Sequence, residues 1–310
     1  MRNRTLAASC LAVVGLFAVA SAQATTYTFT GGGADANYSN PDNWTGGEVP
    51  PNGNNSDVEL SSSGSVVNVD TAGYQPNKLT VLPGSTYRLQ GQALTTGVNQ
   101  DVQAGATLYV NNTLNSAYGF LSSEGTLGGI GTLNMGSGLG LSNGVTVSQG
   151  STFAPGDPLI NNGIGTLTIN GANGLNMGAG WGSPSFAKFT IGATGNSQAV
   201  VNGGALHLTA GANDGSTFIF TDAGGATIGK YTLITYDGAP IDPALLATQN
   251  SPSHPMQLPD GWVATLGSDS VGNGRSELFV DVTAVPEPAS MGLVLAIGAG
   301  ALVRRRRATV

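Results

Sequence analysis

One short pattern recurs along the chain at near-regular intervals, and it limits the folds open to it. The three copies are Val81-Leu82-Pro83-Gly84-Ser85-Thr86-Tyr87, Val102-Gln103-Ala104-Gly105-Ala106-Thr107-Leu108 and Val147-Ser148-Gln149-Gly150-Ser151-Thr152-Phe153. Their template is Val-x-x-Gly-small-Thr-apolar. The glycines lie 21 and then 45 residues apart, which reads as one step followed by two. Gly125-Thr126-Leu127 fills the gap approximately, and Gly131-Thr132-Leu133 and Gly165-Thr166-Leu167-Thr168-Ile169 repeat the Gly-Thr-Leu element. A period of about 20–22 residues, with short β-rich runs and Gly/Asn turns, predicts a parallel β-solenoid in which no coil buries its apolar face alone. Asn111-Asn112, Asn161-Asn162-Gly163 and Asn173-Gly174 are the expected left-handed corners. An antiparallel sandwich of hairpins fits the same pattern and stays open.

The expected fold class is all-β: a right-handed β-helix over residues 25–182, then a smaller sandwich-like β-module over 183–284 closing the open end. Ala239 to Pro259 reads as a Pro-rich loop with room for one helical turn at Pro243 to Leu246. Composition supports β structure. Of 310 residues 48 are glycine and only 9% are charged, leaving few Lys and Glu for helix surfaces. The low charge, with ample apolar content, argues against a disordered polyelectrolyte.

The two ends read as addresses. Arg2 and Arg4 precede an apolar run from Leu6 to Ala20, followed by Ala20-Ser21-Ala22 and Ala22-Gln23-Ala24. This is the layout of a secretory signal peptide over residues 1–24, forming a short helix and cut after Ala22 or Ala24. The single cysteine, Cys10, leaves with it, so the exported body is expected to hold no disulfide and no thiolate metal site. At the other end, Val285-Pro286-Glu287-Pro288 precedes an apolar run from Ala289 to Val303 and then Arg304, Arg305, Arg306 and Arg307. Fifteen helical residues span about 22 Å, short of a roughly 30 Å hydrocarbon core. The arginines hold such a helix on the cytoplasmic side. The prolines keep the preceding segment extended and open to a protease.

This tripartite C-terminus over residues 285–310 resembles the PEP-CTERM sorting signal of Gram-negative bacteria. The resemblance implies recognition by an exosortase, processing near Pro286, Glu287 and Pro288, and delivery to the cell surface or an exopolysaccharide or biofilm matrix. The implied partners are the Sec translocon, signal peptidase, the exosortase and exopolysaccharide. A second likeness lies in the body. Gly144 to Asp157, followed by Gly165 to Gly171, resembles the autotransporter-associated β-strand repeat. Asn43-Trp44-x-x-Gly47-x-x-Pro50 is similar to the leader that precedes such repeats. That likeness implies a right-handed β-helix.

Between its two ends the body carries five cations (Lys78, Arg88, Lys188, Lys230 and Arg275) against 17 acids, a net charge near −12. This excludes a nucleic-acid binder, which needs clustered Lys and Arg. Neutral glycans, or acidic ones bridged by divalent cations, remain possible partners. The two histidines of the body, His207 on a strand and His254 in a loop, have no third ligand at metal spacing. Gly140-Leu141-Ser142-Asn143-Gly144 matches the nucleophile-elbow pattern, in glycine-rich flanks that produce such matches by chance. Asp57 and Glu59 share one strand face. Asp35, Asn37, Asp42 and Asn43 form a candidate calcium cluster without EF-hand spacing. Trp44, Trp181 and Trp262 are candidate sugar platforms or, more simply, buried packing. No catalytic residue, metal ligand or cofactor is expected. The sequence predicts an exported, exosortase-sorted structural protein without catalytic activity. The competing expectation is a polysaccharide-binding or polysaccharide-degrading protein on the same scaffold.

Overall fold

The computed structural model describes residues 24–286, except 62–64, 99, 117–119, 123–124, 137–143, 180–182, 210–214 and 253. The described chain is all-β. Its strands form three sheets of eight, largely parallel. The first sheet runs Thr25–Phe29, Gly53–Leu60, Pro76–Val81, Gln100–Val102, Phe120–Ser122, Gly144–Ser148, Gly174–Ala179 and Leu206–Leu208. The second holds Ser65–Val69, Thr86–Gly91, Thr107–Val110, Thr126–Gly129, Thr152–Pro155, Ser185–Gly192 and Ser216–Asp222, with Gly195–Asn196 folded back on Ser185–Gly192. The third holds Leu94–Thr96, Thr113–Ser116, Thr132–Met135, Thr166–Asn170, Gln198–Asn202 and Gly229–Asp237, then Arg275–Ala284 and Val263–Gly272 in antiparallel. From Thr86 to Asp237 the chain visits the second, third and first sheets in that order, again and again.

Register explains why the repeat reads as it does. Thr86, Thr107, Thr126 and Thr152 are successive partners in the second sheet. The strand containing Thr126 therefore fills the double step between the second and third repeat copies. One residue on, Tyr87, Leu108, Leu127 and Phe153 stack inward, fully buried, and Ala187 and Phe218 continue the column. In the third sheet Leu94, Leu114, Leu133, Ile169 and Val201 do the same. Alternation along each strand puts apolar residues inside and Thr or Asn outside. In the third sheet Thr132 pairs with Thr168, two residues beyond the threonine of the Gly165-Thr166-Leu167 element. A shift of two residues keeps the same face inward; here it places Leu133 against Ile169 and Asn134 against Asn170.

The corners also differ in part from expectation. Asn161 and Asn162 adopt left-handed φ values of 46° and 54°. Asn111, Asn112 and Asn173 do not, although Gly174 does at 62°. Asn112 Nδ2 donates to the Gln90 and Gln92 carbonyls at 3.3 and 2.6 Å. Parallel pairing continues past the 183–284 boundary expected from the sequence. Ser185–Gly192, Gln198–Asn202 and Leu206–Leu208 pair in parallel with strands of the same three sheets. The long antiparallel pairing is confined to Gly229–Asp237, Arg275–Ala284 and Val263–Gly272. The expected helical turn is present as Pro243–Thr248, capped by the Asp242 carboxylate.

The N-terminal end is closed by aromatic packing. Trp44 meets Phe29 edge-on at 5.1 Å and Tyr38 at 4.8 Å, and its indole N–H donates to the Tyr38 carbonyl. Phe29 in turn packs edge-on against Tyr87 of the interior column at 6.1 Å. The cap and the stack thus form one core.

Two glycines separate conformational from steric demand. Gly84, at the repeat's corner, has φ +75° and open space around a would-be Cβ. Gly129 has φ +119°, and a Cβ there would lie 2.1 Å from the Val110 carbonyl oxygen of the adjacent coil. Gly84→Ala should cost about 1–2 kcal/mol, the left-handed penalty alone. Gly129→Ala should cost clearly more, because the coils must separate. Urea titration of both variants checks the order.

Candidate functional site

The residues singled out for sorting fall at the margins. Ala22, Glu287, Pro288 and Arg304 to Arg307 lie outside the described residues, as do both terminal segments expected to be helical. Ala24 immediately precedes the first strand and Pro286 follows the last, exposed. Among the described residues no helix is long and apolar enough to cross a membrane.

The candidate chemical residues are scattered. His207 points outward from Leu206–Leu208 and is exposed, whereas His254 is buried with its Nδ1 unpartnered. Asp57 and Glu59 sit half-buried on the outer face of the first sheet, where Asn77 donates to Asp57 at 2.7 Å. Trp44 and Trp262 are buried, which removes both as open sugar platforms; Trp181, like Ser142, lies outside the described residues. The proposed calcium cluster is arranged as donors around one acid. Asp35 accepts from the Asn37 backbone and side chain, from Asn40 and from Asn43. The Asn40 hydrogen bond leads the effects that hold its carboxyl below the ordinary range. N–H groups aimed at a carboxylate are the wrong donor set for a hard cation. Among the described residues no group of three His, Cys, Asp or Glu side chains is placed to hold a metal.

Three polar arrangements went unread in the sequence. The first is a buried ion pair outside the second sheet. Arg88 and Tyr109 alternate with the inward Tyr87 and Leu108, so both project from the outer face. The turn after Thr152–Pro155 folds back across that face and brings in Asp157, fully buried. Arg88 Nε donates to both Asp157 oxygens at 3.1 and 2.9 Å, Asn111 Nδ2 at 2.8 Å and the Leu159 N–H at 3.0 Å. The guanidinium lies 4.9 Å from the centre of the Tyr109 ring. Burial, then the Asp157 charge, pushes the Tyr109 hydroxyl pKa up against the opposing effect of Arg88. A carboxylate with all these donors is a clamp for the 156–164 turn, not a free base.

The second brings two acids to one cation. Lys230 Nζ lies 2.8 Å from Asp269 and 2.5 Å from Glu277, above the Phe279 ring, on the antiparallel strands. Hydrogen bonds from Asp269 and then Glu277 push the lysine pKa up, and Thr232 donates to the other Glu277 oxygen. Both carboxylates are tied to one ammonium on an open strand face.

The third is a ladder of asparagines on the outer face of the third sheet. Asn115 Nδ2 donates to Thr95 Oγ1 at 3.1 Å, Asn134 to Asn115 at 2.8 Å, Asn170 to Asn134 at 2.6 Å and Asn202 to Asn170 at 2.8 Å. The Arg275 guanidinium closes the ladder on Asn202 at 3.2 Å and lies 3.1 Å from Asp237. The signal was present as Thr113-Leu114-Asn115, Thr132-Leu133-Asn134 and Thr168-Ile169-Asn170. Only the true register brings the three into line.

These sheets and ladders define a class, an all-β protein of parallel stacked strands. Compared with protein-family models, curated proteins and solved structures, the chain matches none.

Removing the Asp157 carboxylate leaves Arg88 largely buried and unpaired. Asp157→Ala should destabilise the fold by about 3–5 kcal/mol, and converting both Arg88 and Asp157 to Leu should cost less than that single change. Denaturant unfolding of the two variants makes the comparison.

Proposed function

We propose that this chain is an exported structural protein, built as a right-handed β-helix and delivered to the cell surface or the extracellular matrix by an exosortase-type route. The observation that carries the reading is the order Pro286-Glu287-Pro288, a short apolar run and four arginines at the C-terminus. The N-terminal run with Ala22 and Ala24 supplies Sec export and signal-peptidase cleavage. A cut after either alanine leaves the first strand, Thr25–Phe29, whole.

The scaffold half of the proposal draws on the repeated visiting order of the three sheets. A chain that returns to each sheet in parallel completes one coil per circuit, and such crossovers are right-handed in nearly all proteins. A non-catalytic role fits the way the polar groups are engaged. Asp35, Asp157 and the asparagine ladder bind partners within the fold. A net charge near −12 on the body keeps it soluble once released.

Alanine replacement of Pro286, Glu287 and Pro288 should leave the precursor in the inner-membrane fraction, while the wild-type chain reaches the surface or medium. Fractionation followed by immunoblotting reads this directly. Undiminished release of the triple variant would refute the sorting role.

A further inference from the structure

The outer face of the third sheet presents two parallel columns of uncharged polar groups. One is the amide ladder Asn115, Asn134, Asn170 and Asn202; the other is Thr113, Thr132 and Thr168, two residues earlier on the same strands and in register with one another. Neighbouring rungs are about 4.8 Å apart, the spacing of paired strands. An open groove of about 470 Å³ runs beside Asn115, Asn134 and Asn170, with Ser116, Met135 and Gly171 among its walls; its exposed lining is mostly carbon and the threonine column lies outside it. No charged side chain belongs to either column until Arg275, which the Asp237 carboxylate accompanies at the far end.

We propose that this face binds an extended, uncharged polysaccharide running along the stack. Three features select that chemistry. The array is neutral and lies on a strongly acidic body, so it offers an anionic chain nothing to offset the repulsion. Its groups recur at the strand spacing, so an extended polymer with many hydroxyls along its length can meet several rungs at once. Each amide has two N–H donors and two acceptor lone pairs, and the ladder engages one of each. The donor and acceptor left over suit a hydroxyl, which is both. The internal bonds hold the amides in place beforehand, so little side-chain freedom is lost on binding.

The inference deepens the display role proposed above by giving the displayed scaffold a ligand. Its test is separate, because binding is measured on the purified protein whether or not the tail is cut. Hydroxyethylcellulose is the soluble neutral probe and polygalacturonate the anionic comparison, read by affinity electrophoresis, with sedimentation on insoluble cellulose as a second readout. The wild-type chain should be retarded by the neutral polymer and not by the anionic one. Thr132→Val with Thr168→Val removes two hydroxyls and suits a strand, and it should weaken retardation about tenfold. Thr107→Val with Thr126→Val, on the second sheet, should leave it unchanged. Asn134→Ala should also weaken binding; should that variant unfold, the threonine pair decides alone. Absence of binding to neutral polymer, equal retardation by polygalacturonate, or equal loss from both threonine pairs would overturn the proposal. None of those results would bear on processing at Pro286 to Pro288.

Discussion

In-register parallel pairing is the constraint from which the rest of this molecule follows. When one strand lies directly over the last, residues at equivalent positions must stack, and the sequence answers with like over like. Tyr87, Leu108, Leu127 and Phe153 form one fully buried column. Each such side chain removes apolar surface from water against the strands on either side of it, an arrangement no isolated strand achieves. The ends must then be closed, and they are closed by different means. Phe29, Tyr38 and Trp44 pack together at the N-terminal end, while an antiparallel set of strands extends the third sheet.

The same register acts on the outside. Stacking that aligns leucines inside aligns asparagines outside, and aligned amides hydrogen-bond from coil to coil. The ladder from Thr95 to Asn202 is therefore a by-product of the core's register as well as a support for it. The Arg88–Asp157 pair works differently. It secures a turn that leaves the stack, and the donors surrounding Asp157 allow a carboxylate to be buried at all.

Much of the scaffold was legible because its period is carried by residues with narrow conformational roles. Gly84, Gly105 and Gly150 share left-handed φ values between 72° and 75°, and the threonine two residues after each opens a strand. The ladder was harder to read, since the shared Gly-Thr-Leu element ends at Leu167 while the paired residues are Thr168, Ile169 and Asn170. Asn111 and Asn112 looked like corners because asparagine tolerates left-handed backbone, yet neither adopts it. The Arg88–Asp157 contact joins residues 69 apart, and no local pattern announces a loop that folds back over a sheet. Of the candidate site, the C-terminal order of Pro-Glu-Pro, apolar run and arginines is a feature of the sequence alone, whereas the polar face emerged only from register.

That register can be tested on the protein directly. Thr107 and Thr126 are outward-facing partners on adjacent strands, about 4.8 Å apart at Cα, within the Cα range of a disulfide and needing only a small inward lean of the two side chains. Leu127, one residue on, points inward. In a chain carrying Cys10→Ser, Thr107→Cys with Thr126→Cys should close into an intramolecular disulfide under mild oxidation, seen as a two-dalton mass loss. Thr107→Cys with Leu127→Cys should stay reduced. Closure of the second pair and not the first would contradict the stacked, in-register fold.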